Sequence, residues 1–173
     1  IINTFFIKKN EKKNLVLILI LDGLSYHLSS MLPFSRKFFL NNNFKNAYAN
    51  AEWSFPVFSN LITGQYSSTH LNYKPITYYS GINFLDNSTY INSKNTLFEY
   101  FKSLNFVTGC YSPYVRINPT YNFDRGVDFF NFCENQNATT IIDKIISQIE
   151  TFNECSNFIC AHFFDVHGKS QDY

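Results

Sequence analysis

The longest uninterrupted apolar run in the chain is Leu15 to Leu21, and it stops at Asp22-Gly23. A run without alternation predicts a strand covered on both faces, as in a parallel sheet. Phe106 to Tyr111 and Phe158 to Phe164 predict further strands, the last ending at Asp165-Val166-His167. Between them the period changes to that of a helix. Ile141, Ile142, Ile145, Ile146 and Ile149 recur at i, i+3/i+4 spacing, which predicts a helix over Ala138 to Phe152. Leu97, Tyr100, Phe101 and Leu104 predict another over Thr96 to Leu104, capped by Ser93 or Asn95. A short helix is predicted over Leu32 to Leu40, broken by Asn41 to Asn43, and a short strand over Phe44 to Tyr48. Pro56 reads as the first residue of a helix that runs through Val57 to Ile62 and is ended by Gly64. Residues 65–92 and 112–135 read as surface loops, and residues 1–14 as a flexible basic lead-in around Lys8, Lys9, Lys12 and Lys13. Alternating strand and helix patterns make the class α/β, a mostly parallel sheet flanked by helices.

Composition narrows the possibilities. With 173 residues, 45% hydrophobic and 16% charged, the chain has the makeup of one globular domain. A formal net charge of +1 gives no global field to recruit nucleic acid or an anionic membrane. No apolar stretch reaches the roughly 18–20 residues of a transmembrane segment. Cys110, Cys133, Cys155 and Cys160 form no C-x-x-C pair and read as free thiols filling core space.

Ligands of open α/β sheets bind at the carboxyl ends of the strands. Asp22 follows the first apolar run there, and Asp165 and His167 follow the last. Ser54 stands just before a predicted helix start, where free N–H groups favour an anion. An acid, a hydroxyl and a histidine on one edge suit hydrolysis of an anionic ester. Asp22 would hold a divalent metal, Ser54 would be the nucleophile, and His167 would bind or protonate the ester oxygen. Each residue also has a plainer reading: Asp22-Gly23 as a turn, Ser54 as a helix N-cap, His167 as a loop histidine.

Six segments, in order, resemble the N-terminal part of the sulfatase-like family of the alkaline phosphatase superfamily. They are Leu17 to Gly23, Phe44 to Tyr48, Trp53 to Gly64, Thr96 to Thr108, Arg125 to Asp128 and Phe163 to His167. The Trp53 to Gly64 segment resembles the nucleophile motif, in which Cys, Ser or Thr stands two residues before Pro and a Thr-Gly pair closes the helix. The resemblance spans about residues 15–169. It implies an alkaline-phosphatase-like α/β domain and a hydrolase of sulfate or phosphate esters, small-molecule or glycan. By position it implies Ser54, or its modified form, as nucleophile and metal contact, Asp22 as metal ligand and His167 as a substrate contact. Arg125 and Asp128 would be structural. Ca²⁺ or Mg²⁺ is implied for a sulfatase, Mn²⁺ or Zn²⁺ for a phosphate-directed relative. Phe58 stands where members converted to formylglycine carry Arg, so an unmodified serine is expected, which fits phosphate-directed relatives and phosphoryl or phosphoethanolamine-type transferases. The family's other metal ligands lie downstream of the position of His167. The sequence is therefore expected to be an incomplete domain, either a fragment or a non-catalytic remnant that binds an anionic ligand.

Overall fold

The computed structural model describes residues 2–9, 13–25, 46–70, 95–132 and 137–167. Their strands are β1 (Ile2–Lys9), β2 (Lys13–Leu21), β3 (Phe106–Ser112), β4 (Phe129–Phe132) and β5 (Ser156–Phe163). Their helices are α1 (Ser54–Thr63), the single turn α2 (Ser67–His70), α3 (Leu97–Ser103) and α4 (Ala138–Thr151). The sheet order is β1-β2-β5-β3-β4. β2, β5, β3 and β4 are parallel, and β1 adds an antiparallel edge. The α/β class with a mostly parallel sheet is therefore the observed one.

Alternation along each strand sorts side chains into two layers. On one face Val16, Ile18, Cys110, Phe158 and Cys160 pack against Phe55, Phe58 and Ile62 of α1, Phe98 of α3, and Phe123 from the β3–β4 connection. On the other, Tyr111, Ile159, Ala161 and Phe163 pack against Ile141 and Ile145 of α4. β5 lies in the middle of the sheet, and all its residues from Asn157 to Phe163 are buried. In β2 Val16 and Ile18 are buried, but Ile20 on their face and Leu15, Leu17, Leu19 and Leu21 on the other are only half-buried, so the expected cover on both faces is partial. The α4 stripe is also narrower than its isoleucine pattern: Ile141, Ile145 and Gln148 are buried, whereas Ile142 and Ile146 remain 45% and 46% exposed.

Several expectations are corrected. Residues 1–14 are not wholly a lead-in, because Ile2–Lys9 pairs with β2 from Ile2↔Ile20 to Lys9↔Lys13. Residues 112–135 are not all loop: they contain a 3₁₀ turn at Pro119–Tyr121 and strand β4. Residues 46–48 carry no strand, and residues 44–45 lie outside the described residues. The helix expected at Leu32 to Leu40, residues 71–92 of the expected excursion, and Cys133 also lie outside them. Cys110 and Cys160 do fill core space as free thiols, while Cys155 is a free thiol on the surface.

The cap of α3 is neither Ser93 nor Asn95. Thr96 caps it, accepting the Glu99 N–H at 3.1 Å while Glu99 Oε2 accepts the Thr96 N–H at 2.7 Å. Arg125 donates to both Glu99 oxygens at 3.0 Å. Asp128 accepts the buried Thr108 N–H at 3.0 Å and a charged bond from Lys102 at 2.6 Å. Arg125 and Asp128 thus hold the β3–β4 connection against α3, the structural role the resemblance implies. Partial burial raises the Asp128 carboxyl, but Lys102 and Thr108 outweigh it and hold it below its ordinary value. A carboxyl depressed in the folded state stabilises above its unfolded pKa, about 3.9, and that contribution fades as pH falls through the folded value. Asp128→Asn is expected to cost about 1 kcal/mol at pH 7, the pair being partly solvent-screened, and to flatten the loss of stability between about pH 5 and 2. Urea unfolding across that range checks it.

Candidate functional site

Three neighbouring parallel strands end at one edge of the sheet, and each delivers a polar group there. Asp22 follows the last residue of β2, with its N–H donating to the Phe163 carbonyl at 3.0 Å. Parallel register sets Ile20 beside His162 and Leu21 beside Phe163, so His162 stands two residues short of the level of Asp22 on the adjacent strand. Ser112 is the last residue of β3, one step beyond the Tyr111↔Ala161 pair. His162 has the parity of Phe158 and Cys160, and so emerges on the face that α1 covers. α1 brings Ser54 to the same spot as its first residue.

The result is a continuous hydrogen-bonded line. Ser54 Oγ donates to Asp22 Oδ2 at 2.5 Å. His162 Nε2 lies 3.1 Å from the same oxygen, and its Nδ1 lies 3.2 Å from Ser112 Oγ. Ser112 Oγ accepts the Tyr114 N–H at 3.2 Å. With a neutral ring the protons run one way: Ser112 donates to Nδ1, and Nε2–H donates to Asp22. His162 is 1% exposed, so both nitrogens satisfy their hydrogen bonding within the protein. Burial pushes the Asp22 carboxyl up, but the bonds from His162 and Ser54 and the electrostatics of His162 and His167 outweigh it. The carboxyl is held below its usual range and is ionised at neutral pH.

The order of contacts restricts the chemistry. His162 touches Asp22 and not Ser54, so Ser54 is not the hydroxyl of a Ser-His-Asp relay, and Ser112, which does meet His162, is fully buried. Ser54 is not the N-cap of α1 either; Trp53 is, with no side-chain cap and no acidic residue in the first turn. Pro56 is the third residue of α1 rather than the first, a position whose N–H also has no intrahelical partner. Gly64 ends α1 in the left-handed conformation, as expected.

His167 sits in the turn after β5, exposed, its ring stacked on Phe164 at 4.7 Å. A Cβ on Gly23, whose φ is +77°, would stand 3.1 Å from the His167 Cα, so the Asp22-Gly23 turn and the His167 turn abut. Asp165 is committed elsewhere: its Oδ1 accepts the Ala138 N–H at 2.9 Å, at the start of α4. The other walls are aromatic. Tyr114 packs on Phe164 at 5.2 Å and lies 6.2 Å from the His162 ring. The Arg116 guanidinium lies over the Trp53 ring, 5.1 Å from its centroid.

A divalent metal is implied by the resemblance. Asp22 and Ser54 offer a carboxylate and a hydroxyl oxygen side by side, the hard donors that Mg²⁺, Ca²⁺ and Mn²⁺ prefer. They fit such an ion as two of its ligands. Among the described residues no group of three or more His, Cys, Asp or Glu side chains could complete a site.

The structure thus joins Asp22 to Ser54 and places the His167 turn beside them. Sequence reasoning missed His162, Ser112, Tyr114 and Arg116. His162 carried one usable signal, a polar residue near the end of an otherwise apolar strand, which needs a partner once buried. The fold and edge define a class, an α/β domain with a carboxylate-held serine at the carboxyl end of a parallel sheet. Compared with known proteins, the chain matches no family model, no curated protein and no solved structure.

Proposed function

We propose that this domain is a metal-dependent, sulfatase-like hydrolase of phosphate or sulfate esters, with Ser54 as its nucleophile. The observation that carries this reading is the 2.5 Å bond from Ser54 Oγ to Asp22 Oδ2 at the uncapped start of α1. The bond fixes the hydroxyl proton toward Asp22 and leaves the oxygen lone pairs free to meet an electrophile. Ser54 Oγ attacks the phosphorus or sulfur, its proton passes along the hydrogen bond to Asp22 Oδ2 as the new bond forms, and the bond to the alcohol oxygen breaks. The departing oxygen takes a proton from His167, and water then releases the group from Ser54. The unbonded N–H groups of the first turn of α1 and its dipole face the negative charge on the ester. An ionised carboxylate is a weak base, so Asp22 orients the hydroxyl in the ground state and takes its proton only as the bond to phosphorus or sulfur forms. A divalent cation held by Asp22 and Ser54 would supply the missing fall in hydroxyl pKa. Handing the group to an acceptor alcohol instead of water would make the same site a transferase.

A substrate panel tests the reaction class. The full-length protein is expected to hydrolyse aryl phosphate or aryl sulfate when Mg²⁺, Ca²⁺ or Mn²⁺ is supplied, to lose turnover with a chelator, and to leave aryl acetate intact. Turnover of the acetate with neither anionic ester would overturn the assignment, because it would mark an acyl-transfer serine.

A further inference from the structure

Arg116 lies in the irregular segment between β3 and the 3₁₀ turn, and it is half-buried. Its guanidinium covers Trp53, the residue before Ser54. It also hydrogen-bonds Tyr114, whose phenol burial pushes up while the neighbouring Arg116 charge opposes that rise and the Asp22 charge adds to it. Trp53 and Tyr114 are therefore two walls of the Ser54–Asp22 site, and Arg116 is in contact with both. Among the described residues the other ion pairs use Lys13, Lys102, Arg125 and His162, and none brings a carboxylate to Arg116. A partly desolvated cation without a carboxylate is unfavourable unless an anion arrives to meet it. A guanidinium lying over an aromatic face and bonded to one phenol still has further N–H donors for oxygens of a tetrahedral group.

We propose that Arg116 binds the non-bridging oxygens of the phosphoryl or sulfuryl group presented to Ser54. This rests on the reading of Ser54 as the nucleophile. It adds the cationic contact that selects an anionic ester over a neutral one. Trp53 and Tyr114 hold the guanidinium in place, so the contact is built before substrate arrives and little ordering is needed on binding.

The test uses the full-length protein and inorganic phosphate and sulfate as probes, with binding read by calorimetry. Arg116→Met keeps the length and the packing on Trp53 but removes the charge, while Arg116→Lys keeps a charge without the fork. Arg116→Met is expected to weaken phosphate or sulfate binding by about ten- to a hundredfold, the range for a lost charged hydrogen bond. It should raise KM for an aryl ester by a similar factor with kcat little changed. Arg116→Lys should recover part of the affinity. Unchanged binding and KM in Arg116→Met, or no binding of either anion by the wild type, overturns the proposal. The two readings fail separately. Anion binding that depends on Arg116, in a protein with no ester turnover, supports the Arg116 contact and removes the hydrolase. Turnover that depends on Ser54 and is indifferent to Arg116 does the reverse.

Discussion

Ser54→Ala is expected to reduce hydrolysis of aryl phosphate or sulfate by at least about a thousandfold, the scale on which losing a nucleophile is felt. The fold should survive the change. Ser54 is not a helix cap, and among the described residues its side-chain bond is to Asp22. Asp22 keeps its bond from His162 in the variant, so the carboxylate is still partnered. The stability cost should therefore be about 1 kcal/mol or less, the worth of an ordinary hydrogen bond. Steady-state kinetics alongside urea unfolding separates the two effects. Turnover within tenfold of wild type, in a folded variant, would show that another atom attacks.

The second large effect falls on stability. Gly126 has a φ of +75°, and a Cβ built on it would lie 2.4 Å from the Glu99 N and 2.7 Å from the Glu99 Cα. These are backbone atoms in the first turn of α3, so no rotamer change relieves the overlap. The turn carrying Gly126 is held on the same side by the Thr108 hydroxyl, 2.7 Å from the Gly126 carbonyl. Gly126→Ala adds left-handed strain of about 1–2 kcal/mol to that clash, for an expected loss of about 3 kcal/mol or more. Chemical denaturation measures it. A loss below about 1 kcal/mol would mean that α3 and the β3–β4 connection approach less closely than described.

Legibility in the sequence followed the range of the interactions. β2, β5 and α4 were readable because an apolar run or a 3.6 period is a local property. α3 was readable as a helix, and Thr96 with Glu99 three residues on is itself a local capping-box signature, so its cap at Thr96 was legible too. β1 was hidden because its strand character comes from pairing with β2, while its flanking lysines drew the reading toward a solvated tail. β4 was hidden in a loop-like stretch for the same reason, since it exists by pairing with β3. At the site, Asp22 and Ser54 were legible because each adjoins the end or start of an element. His162 was not, because it looks like one more position of a buried strand until the Ile20↔His162 register brings its ring within hydrogen-bond reach of Asp22. Tyr114 and Arg116 lie in irregular chain, where no period marks which side chains return to the site.

The central claim is that the hydroxyl held by Asp22 forms a bond to the transferred group. Rapid acid quench of the full-length protein during turnover of an aryl phosphate or sulfate, followed by peptide mass spectrometry, tests it directly. The account predicts one added phosphoryl or sulfuryl group on the peptide containing Ser54, localised to that residue and missing in Ser54→Ala. A label on any other side chain, or steady turnover with no covalent species at any quench time, would contradict it.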